Sequence, residues 1–344
     1  MKMKRTLRDC SLGLLLAALA VVLLLSITFA VAFGPVPIPA LQVWKIALHH
    51  VWPDLLVPDW SKGRDSIVWD IRFPRVVLGA IVGAGLAVVG TVLQGITRNK
   101  LADPHLLGVS SGAAMGAVVV LLHIGMIFGG MTLPLGAFAG ALLATMIIAG
   151  LAGRSGGTPD RLILLGVAVS FVLGAMTSLL IFMADHRASH VVVFWMLGGL
   201  GTAQWQNLWF PVGVLMVGLL YLQFRARHLN ALMSGEETAA TLGIEVGNVR
   251  LQLFVICALV TGTMVSVSGM IGFVGLMVPH IVRQLAGADH RRVLPLAGLG
   301  GAIFLIWADV AARTILKPED MPIGIITGLV GGLFFIWITL RHRG

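Results

Sequence analysis

Apolar runs of bilayer-crossing length recur along this chain, each closed by a short polar turn. That recurrence leaves few ways to fold. The run from Val76 to Thr97 is the plainest, with 22 residues and no charge, where ~20 suffice to cross hydrocarbon. Further runs fall at 12–33, 106–128, 131–152, 162–184, 207–224, 250–269, 271–287, 293–315 and 322–340, ten in all. Backbone in lipid finds no water, so each run must satisfy its own amides as a helix. The expected fold is all-α: a single polytopic membrane domain over residues 1–344 with about ten transmembrane helices. An apolar piece at 191–200 is too short to cross.

Composition agrees. The chain has 344 residues, 58% hydrophobic and 11% charged, where soluble domains carry about a quarter charged residues. A soluble enzyme with an anchor is excluded. The formal charge of +9 reflects topology in such a protein. Nucleic-acid binding needs a basic face on a soluble domain, and no stretch here supplies one. Cys10 and Cys257 give neither a disulfide framework nor metal spacing.

The N-terminus resembles a signal peptide: Met1 to Asp9 is basic, and Ala30-Val-Ala32 looks like a cleavage site. The apolar stretch Ser11 to Phe33 has 23 residues, longer than a signal core of about 7–15, so a retained first span is expected. With the N-terminus inside, sixteen Lys and Arg fall on the cytoplasmic side and eight outside. That bias predicts both termini in the cytoplasm.

Small residues recur at four-residue spacing: Gly79/Gly83, Gly108/Gly112/Gly116, Gly136/Gly140 and Gly328/Gly332. Such ridges let helices approach closely, and tight packing is the expected role of each. No G-x-x-x-x-G-K-[ST] loop is present, so this chain does not hydrolyse ATP by that route. Asp309 is the one carboxylate well inside a run. Ion-coupled carriers mark their pathway with ionisable residues, so a secondary carrier is the weaker reading. Asp309 and Arg313 stand four apart on one helix face and can simply pair, or Arg313 can meet a partner. Energy then comes from another subunit. The polar loop 230–247 predicts a short helix with Leu232, Thr238, Ala239 and Leu242 on one side and Glu236 and Glu237 beside them. Such a helix can lie on the membrane or enter a groove of a soluble motor.

The stretches Arg72-Phe-Pro-Arg75, Leu93-Gln-Gly95, Asn99-Lys-Leu-Ala-Asp-Pro104, Leu107-Gly-Val-Ser-Ser-Gly112, Phe194-Trp-Met-Leu-Gly-Gly199, Gly235-Glu-Glu237 with Leu242-Gly243, Gly269 to His280, Ala308-Asp309 with Arg313, and Met321-Pro-Ile-Gly324 together resemble the permease subunits of type II ABC importers. That group takes up iron–siderophore complexes, haem and cobalamin. The resemblance covers nearly the whole chain after Arg72. It implies a ten-helix permease in the bacterial inner membrane, paired with a second copy of itself. Two cytoplasmic ATPases, which hold ATP and Mg, and a periplasmic substrate-binding protein complete the assembly. The permease itself binds no cofactor and no metal. Arg72, Arg75 and Arg313 match positions that receive acidic residues of the binding protein. Gly235, Glu236, Glu237, Leu242 and Gly243 match the segment that docks on the ATPase. Asn99, Leu101 and Thr158 match the cytoplasmic gate, with the loop near Gly156 to Asp160. Lys100 and His105 depart from the family, where proline and glycine or tyrosine are common. The implied cargo is an intact ferric siderophore, with haem or cobalamin as alternatives.

The histidines divide. His280 falls in the family's Pro-His stretch, which implies packing. His186 and His190 stand four apart outside; a solvated pair is the simpler reading, and contact with haem iron is the alternative. His49 and His50 lie in a Trp- and Pro-rich outer loop and read as interfacial filler.

Overall fold

The computed structural model describes residues 11–34, 36–154, 158–316 and 319–341. Among these every regular element is helical. Helix α1 (Leu12–Ala32) leads to a short amphipathic α2 (Ala40–Val51). Then comes the long α3 (Lys62–Ile96). The next helices are α4 (Val109–Ile124), α5 (Thr132–Arg154), α6 (Pro159–Phe182) and the short α7 (His186–Met196). After α8 (Trp205–Phe224) two short pieces follow, α9 (Ala226–Met233) and α10 (Glu236–Thr241). The chain closes with α11 (Val246–Ser268), α12 (Val274–Ala286), α13 (His290–Thr314) and α14 (Ile323–Arg341).

Eight helices are long and apolar enough to cross a membrane. The shorter α4 and the 13-residue α12 occupy the two remaining predicted spans, which matches the expectation of about ten. At 1.5 Å per residue α12 reaches only ~20 Å. It packs against α3 and α13 and leaves Ile281 and Leu285 exposed on its other side.

Helix α3 is the axis, and its middle is almost wholly buried. It crosses α13 where Gly83 meets Gly301: a Cβ on either would fall within contact of the other's carbonyl oxygen. Gly112 and Gly116 interlock in the same way with Gly140 and Gly136, joining α4 to α5. The ridges at Gly83, Gly112/Gly116 and Gly136/Gly140 are packing sites, as expected. Gly328 and Gly332 differ, with nothing within 4 Å of where a Cβ would stand.

Of the prolines within the helices, three leave a carbonyl vacancy that is filled from another helix. Pro279 has no N–H for the carbonyl of Gly275, four residues earlier. Gln94 of α3 donates to that oxygen at 3.0 Å. Pro295 leaves the carbonyl of Arg291 open, and Gln223 of α8 donates there at 3.0 Å. Helix α3 contains a π segment, Ile67–Arg72, in which Phe73 N bonds Val68 O. In that pattern Trp69 O would pair with residue 74, a proline. The indole of Trp205 donates to it instead, at 2.7 Å.

The structure changes three expectations. The helix that contains the apolar run from Val76 starts earlier, at Lys62, because the π segment carries it through the charged residues Asp70 and Arg72. The outer loop contains a helix, α2, which buries Val43 and Ile46. The polar loop is two helices broken at Gly235 (φ +119°).

Candidate functional site

The arginines and the residues of the 235–243 segment singled out by sequence lie toward the two ends of α3. At the Arg75 end they form a compact charged cluster. Asp309 of α13 is 2% exposed. Arg75 Nε donates to its Oδ1 at 2.9 Å, and Arg313 Nε lies 2.9 Å from its Oδ2. Arg75 Nη1 also donates to Asp320 at 2.6 Å. Asp320 is exposed, so the cluster opens to solvent on that side. Asp309 and Arg313 do pair at i,i+4 spacing, and Arg75 makes the pair a triad. A carboxylate held by two guanidinium groups at low exposure is a compensated charge.

Arg72 sits behind this triad and is 5% exposed. Its guanidinium donates to the carbonyls of Val31 at 2.7 Å, Ala32 at 3.2 Å and Val36 at 2.7 Å. These carbonyls lie at and beyond the end of α1, where helical partners run out. The side chain closes the exit of α1 and offers no free cation on the surface. Arg313 makes a similar bond to Ala30 O at 3.2 Å.

At the other end of α3, α9 and α10 lie across the helix termini. Helix α9 buries Ala226, Leu229 and Leu232, and α10 buries Ala239. Leu242 is 67% exposed and Thr238 is also exposed, so the four residues do not share one buried side. Glu236 accepts from Arg250 Nη2 at 2.7 Å and lies 3.7 Å from Arg98. Glu237 is exposed. Gly235 and Gly243 both adopt positive φ, +119° and +76°, and bound the segment with bends that favour glycine.

The same end carries the turn after α3. Asn99 Oδ1 accepts from Leu101 N at 2.9 Å, a turn closed by its own side chain. Leu101 projects outward at 59% exposure. Thr158 holds the N-cap position of α6 without a side-chain bond. Of the neighbouring loop, Gly156 and Gly157 lie outside the described residues.

Asn230 was not anticipated from sequence. Its Oδ1 accepts from the backbone N of His290 at 2.9 Å and lies 2.8 Å from His290 Nδ1. Its Nδ2 donates to Asp289 Oδ1 at 2.7 Å. Asp289 caps α13 by accepting from Arg291 N. Burial raises the Asp289 carboxyl, but the bonds from Asn230 and Arg291 N, with the nearby charges of Arg291 and His290, outweigh it and hold the group below its ordinary value.

His280 packs against Phe334 and Phe335 of α14 and accepts from Gln284 at 2.7 Å. His190 is exposed, 5.5 Å from the Phe194 ring. The His186 side chain lies outside the described residues. His49 and His50 are more than filler. His50 stacks on Trp69 at 4.4 Å and lies 2.9 Å from Asp65, while His49 bonds Leu56 O at 3.1 Å. Their Trp-rich surroundings were the available signal. His105 lies 2.7 Å from Ile271 O and lines a groove of about 550 Å³ with Ser170, Phe171, Met196 and Met270. Among the described residues no three His, Cys, Asp or Glu side chains converge as a metal site.

Comparison with known proteins places this arrangement. Residues 22–341 match the FecCD transport family. The hemin transport system permease protein HmuU of Yersinia pestis is 40% identical over 291 residues, covering 83% of this chain and 87% of that protein. The cobalamin import system permease protein BtuC of Halobacterium salinarum is 42% identical over 314 residues, covering 91% and 82%. A solved inward-facing structure described as a metal-chelate type ABC transporter superposes with a TM-score of 0.81 at 29% identity, covering 95% of this chain and 98% of that one.

Proposed function

This chain belongs to the FecCD transport family, and from that membership we propose that it imports an intact ferric siderophore from periplasm to cytoplasm by alternating access. The observation that carries this reading is the family match over residues 22–341, joined to an arginine cluster at one end of α3 and a glycine-bounded helical segment at the other. The protein is a multi-pass permease subunit and not a catalytic one. ATP and Mg belong to two separate ATPase subunits, and a periplasmic protein delivers the cargo.

The Arg75 end is the periplasmic face, and both termini are cytoplasmic. Arg75 and Arg313 receive acidic groups of the binding protein, with Asp309 holding them in place and Arg72 fixing the chain behind them. Helices α9 and α10 meet the ATPase through exposed Leu242 and Glu237. A second copy covers the face where α14 exposes Leu329 and Leu333 beside Gly328 and Gly332. Asn99, Leu101 and Thr158 stand at the cytoplasmic gate.

The span interiors support passage of an intact complex. Stripping iron from its ligands requires replacement oxygen, nitrogen or sulfur donors at close range, and Asp309 is already occupied by two arginines. That same compensation argues against an ion-coupled secondary carrier. Haem and cobalamin remain the second reading for the cargo, on the names of the two relatives and on exposed His190.

The test is reconstitution in proteoliposomes with the ATPase and the binding protein, using doubly labelled ferric siderophore. Ligand and metal should enter in equal amounts and only with ATP. Metal entering without its ligand would overturn the intact-chelate reading, and uptake without the ATPase would overturn the importer reading.

A further inference from the structure

Movement at the ATPase-facing segment must reach the arginine cluster at the other end if the two are to work together. Helix α3 touches both ends. Toward α9 it offers apolar packing of Leu229 near Gly95, and toward α10 the loose Arg98–Glu236 approach at 3.7 Å. Helix α13 is tied more directly. It is a single 25-residue helix with Pro295 in its second turn, about 37 Å long at 1.5 Å per residue. It begins at Asp289 and His290 and ends with Asp309 and Arg313 in the charged cluster.

Asn230 is the junction. Its carboxamide uses both ends at once. Oδ1 faces the backbone N and ring Nδ1 of His290, and Nδ2 faces the Asp289 carboxylate. The carboxylate can only accept, so the amide orientation is fixed, and His290 Nδ1 must carry the proton that Oδ1 receives. His290 is 1% exposed, so its ring cannot exchange this partner for water without moving. A second tie lies at the next residue, where Gln223 at the end of α8 bonds the Arg291 carbonyl freed by Pro295. The chain entering α9 and α9 itself thus both grip the first turn of α13.

We propose that Asn230 is the positioning residue through which displacement of α9 and α10 is passed to α13, and along that helix to Asp309 and Arg313. The inference rests on the reading of 226–243 as the ATPase-facing segment. It adds the specific link by which that segment acts across the membrane.

The experiment uses the full importer in proteoliposomes, with cargo uptake and ATP hydrolysis measured together. Asn230→Ala removes all three bonds. Uptake should fall about tenfold, within the range of allosteric couplings, and by more than hydrolysis falls, so ATP consumed per cargo rises. Asn230→Asp removes the donor and sets a carboxylate against Asp289, and should uncouple similarly. Asp289→Asn retains both bonds it accepts and should be mild. Combined with Asn230→Asp it replaces two facing carboxylates by a carboxamide facing a carboxylate. The carboxylate now at position 230 accepts from His290, and the carboxamide now at position 289 can turn its nitrogen to donate to that carboxylate, giving up the cap on Arg291 N that the same atom position accepts in the wild type. The double variant should recover coupling relative to Asn230→Asp alone.

A brace for folding alone predicts that uptake, hydrolysis and melting temperature of the purified assembly decline together. Proportional decline, normal uptake in Asn230→Ala, or failure of the double variant to recover would each overturn the proposal. Normal, ATPase-dependent uptake in Asn230→Ala would do so while sparing the importer reading. Uptake without any ATPase would remove that reading itself.

Discussion

Gln94 donates its side-chain amide to the carbonyl oxygen of Gly275 at 3.0 Å, taking the place of the N–H that Pro279 lacks. The other end of the same amide accepts from Arg283, which also donates to Thr91 O at 3.0 Å. One neutral side chain thereby satisfies a broken helix and a half-buried cation. Gly90 permits it, since a Cβ there would fall within contact of the Gly275 backbone.

Gln94→Leu should therefore cost about 2–4 kcal/mol, because it strands a buried carbonyl and removes a partner of a charged group. A melting temperature several degrees lower in detergent is the expected result. Gln94→Glu retains an acceptor for Arg283 but loses the donor, and should fall between. A leucine variant melting like the wild type would show that the replacement bond stabilises nothing.

The arginines at the other end separate into two roles. Arg75→Glu places a third acid beside Asp309 and Asp320, and capture of the binding protein should weaken at least about tenfold, as for loss of a close charge pair across an interface. Wild-type capture should also weaken as salt rises. Arg72→Ala should instead lower the melting temperature with little change in that salt dependence, since its guanidinium is committed to Val31, Ala32 and Val36. Equal effects of the two variants on salt dependence would refute the division.

Gly243 has φ +76° and nothing within 4 Å of a notional Cβ. Any penalty there is conformational and not steric. Gly243→Val should reduce uptake while the permease still inserts, at a cost of about 1–3 kcal/mol for a strained residue. Gly243→Asn should be tolerated, because asparagine enters the left-handed region readily. Comparable uptake by the valine and asparagine variants would argue against this account.

The glycine pairs make a paired test. Gly301→Val forces a side chain into the Gly83 carbonyl and should abolish a monodisperse peak in fluorescence-detected chromatography. Gly332→Val meets open space within the chain and should fold, yet shift the assembly toward monomer if a second copy covers α14. An intact dimer would exclude Gly332 from that interface.

How far the sequence reveals this arrangement depends on length scale. An uncharged run of 22 residues is a direct statement about hydrocarbon thickness, so the span at Val76–Thr97 could be read without tertiary information. Its extension back to Lys62 could not, because Asp65, Asp70 and Arg72 interrupt the apolar pattern although the backbone continues as a helix. Helix α2 was hidden by Lys45, His49 and His50, and only the inward spacing of Val43 and Ile46 hints at it. The Asp309–Arg313 pair follows from four-residue spacing on one helix. The share of Arg75, 234 residues away, follows only from the crossing of α3 and α13. Asn230 carries no local signal, since its partners are a cap and a ring at the start of another helix.

The prolines in α3, α12 and α13 set a constraint on motion. Each leaves one carbonyl at one height, met by one donor on a neighbouring helix: Trp205, Gln94 and Gln223. A helix sliding by a single turn, ~5.4 Å, would part each oxygen from its donor, and the buried carbonyl of Gly275 would be left with no substitute. These contacts index the helices against one another as pins in a lock do, permitting tilt about a fixed point and forbidding slip. Keeping these bonds through a cycle of opening and closing requires bodies that tilt at these heights, with an unchanged register among α3, α8, α12 and α13.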